Sequence, residues 1–187
     1  MLDTDNRLLE KLLSSFRCIN DYDIQNFLKS KAIEFERISK SRTYLIVDNE
    51  QLQNSDITLD KIIIYGYISL AVKVLAVPEN ASNRLRKQLD GFSAKQHGKP
   101  ISHFPCYLIG QLARNSDVPK STISGTDLLN FAYDIIGTAV EAVGGRYVLI
   151  ECNNNEKLLK FYSDNDFSEI NRENHEDRIM VQMIHKV

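Results

Sequence analysis

The sequence has no excess of either charge. Its 23 Lys and Arg residues stand against 25 Asp and Glu, a net charge of −2, and this excludes a general polyanion binder, which carries a strong basic surplus. Cysteine is scarce. Cys18, Cys106 and Cys152 are odd in number, far apart and set among apolar residues, so a disulfide framework is not expected and a reducing, cytoplasmic setting is. There is no long apolar run either: residues 62–77 include Tyr65, Gly66, Ser69 and Lys73 and fall short of the ~20 apolar residues a membrane span needs. The opening Met-Leu-Asp-Thr-Asp lacks the charged-then-apolar pattern of a signal peptide. A soluble protein with no membrane association is the expectation. His97 and His103 have no partners at zinc-ligand spacing, so no metal is expected. Internal repeats and low-complexity tracts are absent.

What is present suits a single packed domain over residues 1–187, with 43% hydrophobic content. Leu8, Leu9, Leu12 and Leu13 fit one face of a helix or a buried strand equally well. Residues 23–39 read as a surface helix on the stripe Ile24, Phe27, Leu28, Ala32 and Phe35, with Asp21 or Asp23 as its cap. A strand is expected over 43–47, a polar loop over 50–60, and a long strand over 61–77 bent at Gly66 and stopped by Pro78. A short basic helix over 80–89 would be capped by Asn80 or Ser82. A Gly, Lys and Ser-rich loop over 91–100 is the expected mobile or substrate-facing segment. Near the end, a strand over 166–170, a polar turn over 171–177 and an alternating strand over 178–185 are expected.

The stretch from Cys106 to Phe167 organises the rest. It reads as a strand over 106–113, a polar loop over 114–122, an amphipathic helix over 124–143, a strand over 146–152 and a short helix ending at Phe161-Tyr162. Small polar residues and a lysine, Lys120-Ser121-Thr122-Ile123-Ser124-Gly125-Thr126, lead straight into the long helix. First-turn N–H groups have no internal partners and the helix dipole is positive there, so this turn suits an anion such as a phosphorylated ligand. An ordinary solvated loop with Ser124 as N-cap is the competing account. Charge is also uneven: residues 81–120 hold seven Lys and Arg against two acids, whereas 151–187 hold five against eight. The basic residues Arg84, Arg86, Lys87, Lys95, Lys99 and Arg114 can form a phosphate-facing surface or simply a solvated face.

At this point the sequence resembles the GNAT superfamily of N-acetyltransferases, and within it the tRNA-acetylating toxins of bacterial toxin–antitoxin pairs. The resemblance runs over most of the chain. It rests on Phe16-Arg-Cys18 with Ile24-Gln-Asn-Phe27-Leu28, on Arg42-Thr-Tyr44-Leu-Ile-Val-Asp48, and on Tyr65-Gly66-Tyr67-Ile-Ser69-Leu70. It continues through Leu108-Ile-Gly-Gln-Leu-Ala113 and closes on Asn155-Glu-Lys-Leu-Leu-Lys-Phe161-Tyr162 with Phe167. The implied fold is α/β (α+β): a mixed, twisted sheet of six to seven strands with flanking helices and a V-shaped splay between the fourth and fifth. Acetyl-CoA is the implied co-substrate. Its pantetheine would pair with Leu112 and Ala113, and its pyrophosphate would sit on Lys120 to Thr126, with Asn155 a further contact.

Two positions depart from the family pattern. Ile123 stands where the family has its first turn glycine, and Asp166 replaces the glycine that normally precedes the phenylalanine. Glycine permits close backbone approach to phosphate; with Ile123 the seat stays open only if that side chain points away.

Acetyl transfer needs an uncharged amine, a polarised carbonyl and a proton for the departing thiolate. Backbone N–H groups near Leu112 and Ala113 can polarise the carbonyl, and the resemblance assigns the proton to Tyr162. A phenol of pKa ~10 protonating a thiolate of conjugate pKa ~8.5 is uphill by about 2 kcal/mol, so a hydrogen bond that strengthens during departure is expected. Without the resemblance, Tyr162 reads as a core aromatic beside Leu158, Leu159 and Phe161, and Asn155 as a helix cap. No Asp or Glu lies in the fourth strand, where many family members keep a base. His103 and Glu151 are the remaining protein candidates, unless the acceptor is as weakly basic as the α-amine of an aminoacyl-tRNA. The cysteines read as small buried hydrophobes, a Cys152 acyl-enzyme being the alternative. Implied partners are acetyl-CoA, an amine acceptor with aminoacyl-tRNA among the options, a small antitoxin and a second copy of the chain. The rival to the enzyme is a GNAT-fold module that binds acyl-CoA or a protein without transfer.

Overall fold

A computed structural model describes residues 2–53, 57–175 and 177–187, with side chains from Arg7 onward. In chain order the elements are α1 (Leu2–Ser15), α2 (Tyr22–Ser30), α3 (Ala32–Arg37), β1 (Arg42–Val47), α4 (Asn49–Gln53), a 3-10 turn (Leu59–Lys61) and β2 (Ile64–Ala76). Then come α5 (Asn83–Asp90), β3 (Lys95–Gln96), β4 (Lys99–Pro100), β5 (His103–Arg114), α6 (Gly125–Val143), β6 (Tyr147–Asn153), α7 (Glu156–Asp164), β7 (Ser168–Asn174) and β8 (Ile179–Lys186). Six strands form a mixed sheet in the order β1-β2-β5-β6-β8-β7, and β3 pairs with β4 as a small hairpin. Two compact units are distinguished, Met1–Ala71 with Ile109–Asp134 and Val72–Leu108 with Ile135–Val187.

In the first unit the leucine repeat resolves as a helix, and Leu12, Leu13, Phe16, Leu28, Ile64, Tyr67 and Ala113 share one core. Phe16 meets Tyr67 edge-on at 5.1 Å, and the Tyr67 hydroxyl donates to the Ile24 carbonyl at 2.6 Å. That bond satisfies a polar tip that burial would otherwise leave costly. The helix expected over 23–39 is two helices. Asp21 caps α2 by accepting from the Ile24 N–H at 3.1 Å, and the chain leaves α-helical φ at Lys31 (−119°) before α3 begins. The apolar stripe survives the break because Leu28 and Ala32 enter the same core.

β1 and β2 are antiparallel from Arg42↔Leu70 to Ile46↔Gly66, and the register then slips so that Val47 faces Ile64. The extra residue is Tyr65, beside the expected bend. Packing demands glycine at position 66, since a Cβ there would lie 2.9 Å from the Ala113 carbonyl oxygen and 2.9 Å from Leu128 Cδ2. The polar loop expected over 50–60 contains α4 and the start of the 3-10 turn, while its positions 54–56 lie outside the described residues. β2 accordingly begins at Ile64, three residues later than the pattern suggested.

In the second unit Leu75, Leu89, Phe104, Cys106, Tyr147, Leu149 and Ile184 pack together. β6, β8 and β7 are antiparallel neighbours, so Glu151, Gln182 and Asn171 line up across three strands. The turn expected over 171–177 is strand as far as Asn174, and position 176 lies outside the described residues. Ser82 caps α5, accepting from the Leu85 N–H at 3.1 Å, and Gly91 ends the helix at a left-handed φ of 88°. The loop expected over 91–100 is instead a hairpin turning at His97 and Gly98, whose φ values of 50° and 78° suit a tight turn between strands.

Arg86 departs most from expectation. Expected on a phosphate-facing surface or a solvated face, it is only 5% exposed. Its guanidinium donates to the carbonyls of Ala81 (3.2 Å), Pro78 (2.9 Å), Glu79 (2.9 Å) and Ile101. One planar fork thus fastens the loop before α5 and the root of the hairpin to the helix. Arg86→Met keeps the stem but strands those carbonyls, and should cost about 3 kcal/mol of stability, read as a lower urea midpoint with unchanged m.

Candidate functional site

The turn into α6 is shaped by the groups that claim its carbonyls. Where β5 ends, buried Asn115 donates its side-chain N–H to the Ile64 carbonyl and its backbone N–H to the Tyr65 carbonyl, both at 2.8 Å. Its side-chain oxygen accepts from the Asp117 N–H at 3.1 Å. Ser116 is tied to the N-terminal segment, donating to the Arg17 carbonyl at 2.8 Å and accepting from the Ile19 N–H at 3.1 Å. The Arg114 guanidinium then reaches the carbonyls of Val118 (3.4 Å), Pro119 (3.3 Å) and Ile123 (3.5 Å). One guanidinium nitrogen of half-buried Arg114, Nη1, is thus directed at the chain itself. It draws the loop's negative dipoles to one side.

Lys120, Ser121, Thr122, Ser124 and Thr126 are exposed, and Gly125 is half-buried. Ile123 is 6% exposed, and it is not among the residues with left-handed φ. Its side chain lies inward, so it does not cover the exposed turn, and the geometry there does not require glycine. Ser124 and Asp127 form a reciprocal cap: the Ser124 N–H and hydroxyl each donate to the Asp127 carboxylate at 2.7 Å, while the Asp127 N–H donates to Ser124 Oγ at 3.1 Å. These bonds hold the Asp127 carboxyl below the usual carboxylate range. Two of the N–H groups on offer to an anion are thereby used, and a negative charge stands in the first turn. The N–H groups of Gly125 and Thr126 carry no hydrogen bond among the described residues. Leu112 is half-buried and Ala113 buried at the end of β5.

Asn155, Glu151, Tyr162 and His103 belong to the second unit. Asn155 is the N-cap of α7, accepting from the N–H groups of Lys157 (3.0 Å) and Leu158 (3.3 Å). Tyr162 is 8% exposed. Its position is set by how α7 ends. The Phe167 N–H donates to the Tyr162 carbonyl at 3.0 Å and the Asp166 N–H to the Ser163 carbonyl at 3.2 Å, with Asp166 at a left-handed φ of 63°. This is a Schellman motif, whose usual apolar contact appears as the Tyr162–Phe167 ring pair at 5.5 Å. Phe161 closes on the other side at 5.0 Å. Asp166 therefore occupies a backbone position where glycine is the default.

The base candidates fare differently from their sequence reading. Lys73 Nζ lies 2.5 Å from Glu151 Oε2, and Gln182 donates to Glu151 Oε1 at 2.9 Å, so both carboxylate oxygens are already engaged. His103 is exposed, with Nδ1 3.0 Å from Ser102 Oγ. All three cysteines are free thiols. Burial pushes Cys106 and Cys152 up to about 11, leaving little thiolate at neutral pH for an acyl-enzyme. Among the described residues, no group of three His, Cys, Asp or Glu could hold a metal, and no helix is long and apolar enough to cross a membrane. Asn115 carried no sequence signal, being one asparagine in a polar loop. The Ser124–Asp127 pair did carry one, in its three-residue spacing ahead of an apolar helix.

No protein-family model matches the sequence, and no curated protein matches it. The fold has clear counterparts. AtaT complexed with acetyl-methionyl-tRNAfMet matches with a TM-score of 0.66 and 21% identity, over 93% of this chain and 86% of that one. A Tyr-to-Phe mutant of KacT gives a TM-score of 0.67 at 20% identity, over 93% of this chain and 86% of that one. A Tyr-to-Phe mutant of the AtaT toxin, bound to the C-terminus of the antitoxin AtaR and acetyl-CoA, gives 0.61 at 18% identity over 93% and 84% of the two chains. The chain has the GNAT fold seen in these toxins.

The left-handed residue after α7 offers a direct check. Asp166→Ala should be less stable than Asp166→Gly by about 1 kcal/mol, measured by urea denaturation, because only glycine takes φ near +60° without Cβ strain.

Proposed function

We propose that this chain is an acetyl-CoA-dependent N-acetyltransferase acting as one domain over residues 1–187. The observation that carries the reading is the turn into α6: exposed Lys120, N–H groups of Gly125 and Thr126 without an internal acceptor, and carbonyls of Val118, Pro119 and Ile123 gathered by Arg114. The fold shared with AtaT and KacT supports it. Such a turn suits a diphosphate, since its fixed N–H dipoles point outward and its dipole potential is positive. Leu112 and Ala113 would offer backbone groups to a pantetheine arm, and Asn155 retains a side-chain amide beyond its capping oxygen.

Acetyl-CoA supplies an activated thioester. Backbone N–H groups at the end of β5 would polarise its carbonyl while an uncharged amine forms the new C–N bond. As the C–S bond breaks, the departing sulfur would need a hydrogen-bond donor, the role the resemblance gives the Tyr162 hydroxyl, and the ammonium proton would leave to solvent. Glu151 is held by Lys73 and Gln182, and the loss of that candidate base favours an acceptor amine that is substantially neutral at physiological pH. The α-amine of an aminoacyl-tRNA meets that condition better than a lysine side chain. A small antitoxin is the partner such a toxin would need. The similar structure of AtaT bound to part of AtaR supports that choice.

The engagement of Glu151 also favours a second reading, a module that binds acyl-CoA without transfer. Thermal-shift titration with CoA followed by thiol release in the presence of amines separates the two: binding without amine-dependent release selects the module.

Two variants test the enzymatic reading. Tyr162→Phe should lower kcat by about 100-fold while CoA affinity in calorimetry stays within about twofold, and should relieve any growth arrest that expression of the parent chain causes. Equal turnover in parent and variant would remove Tyr162 from the mechanism. Asp127→Asn withdraws a negative charge from the first turn of α6 and should tighten CoA binding by about two- to fivefold; unchanged affinity would place the diphosphate elsewhere.

A further inference from the structure

Phe92 is 88% exposed, the largest exposure among the exposed apolar side chains. Its surroundings are built to hold it still. Asp90 accepts from the N–H groups of Phe92 (3.2 Å) and Ser93 (2.8 Å), and Ser93 Oγ accepts from the Lys95 N–H at 3.1 Å. The Arg146 guanidinium donates to the Asp90 carbonyl at 2.7 Å and fills the space where a Cβ on Gly91 would lie. Arg86 anchors the root of the following hairpin through the Ile101 carbonyl. A rigid backbone thus presents a bare aromatic ring to solvent.

Along the chain, cations lie on both sides of Phe92. Between residues 82 and 100 the only acid is Asp90, against Arg84, Arg86, Lys87, Lys95 and Lys99. Arg86 is turned inward, but Arg84 and Lys87 are exposed one helical turn apart on α5, and Lys95 is exposed at the start of β3. Phe92 lies between these two groups in the chain. In a protein of net charge −2 this is a local excess of cations, with Asp90 as one acid against the exposed Arg84, Lys87 and Lys95.

We propose that Phe92 and the exposed Arg84, Lys87 and Lys95 form a stacking site for single-stranded RNA. A flat ring with an open face takes an unpaired base of any sequence, and the cations meet the phosphates on either side of it. A duplex offers no open base face to the ring, and an acidic peptide has no planar group to use it. The inference deepens the reading of an RNA-borne acceptor amine and rests on it for the identity of the strand; the binding itself does not require acetyl transfer.

The test is fluorescence anisotropy of the full chain with a 5′-labelled single-stranded RNA, with the same RNA annealed to its complement as competitor. Phe92→Ala should weaken binding about tenfold and Phe92→Trp should retain it. Lys87→Ala with Lys95→Ala should make the slope of log K against log salt less steep by about 1.4. No binding by the parent chain overturns the proposal. So does binding that Phe92→Ala leaves unchanged, which would mean a polyanion held by charge alone, as polyglutamate would then displace the RNA equally well. CoA affinity and thiol release with a small amine, measured on the same variants, report the acetyl-transfer reading separately: intact transfer with lost RNA binding supports the site, and lost transfer with intact, Phe92-dependent RNA binding leaves the site standing.

Discussion

Peptide carbonyls left over where strands and helices end are met, again and again in this protein, by arginine. Arg86 serves four of them, Arg114 three, Arg146 the carbonyl of Asp90 and Arg42 the carbonyl of Glu36. A guanidinium carries five donors in a rigid plane and stays charged, so one side chain can satisfy several acceptors that water would otherwise have to reach. Hydrogen bonds with one charged member are each worth about 1.5–3 kcal/mol. Much of the loop structure follows from where these side chains reach.

That use of arginine changes what the charge distribution means. The basic middle of the chain does not present all its cations to a ligand. Arg86 faces its own backbone and Arg114 is half-buried with one nitrogen on loop carbonyls, while Arg84, Lys87, Lys95, Lys99 and Lys120 remain exposed. The turn before α6 gains in a second way. With three loop carbonyls drawn toward Arg114, the face carrying the Gly125 and Thr126 N–H groups is left more positive. Asp127 works against it, being the acid that caps the helix.

The two positions where glycine is absent show how differently one substitution can be absorbed. Ile123 sits at ordinary negative φ with its side chain buried, so losing the glycine there costs little. Asp166 keeps the left-handed backbone that glycine would have served, and the strain is held by the bonds that close α7 onto Phe167. Tyr162 depends on that closure, because its ring packs against Phe167 and its carbonyl accepts the closing bond.

Most elements were legible in the chain itself. The strands around Leu45, Ile109 and Leu149 and the long helix after Ser124 follow from periodicity, β-branched residues and turn chemistry, all of which act over a few residues; the same rules narrowed two caps to Asp21 or Asp23 and Asn80 or Ser82, while the need for glycine at position 66 comes from Ala113 and Leu128, distant in the chain. The break at Lys31, the extension of β7 to Asn174 and the hairpin at His97 and Gly98 did not follow from local rules, because each depends on which partner strand or core the segment meets. Among the candidate site residues, Lys120 to Thr126 and Asn155 could be placed at helix starts from local pattern alone. That Arg86 turns inward, that Asn115 pins the end of β5 to β2, and that Glu151 is already held by Lys73 were decided only by tertiary structure. Those choices belong to side chains and acceptors separated by up to 78 positions along the chain, and no local rule reports which distant carbonyl or carboxylate a charged group will find.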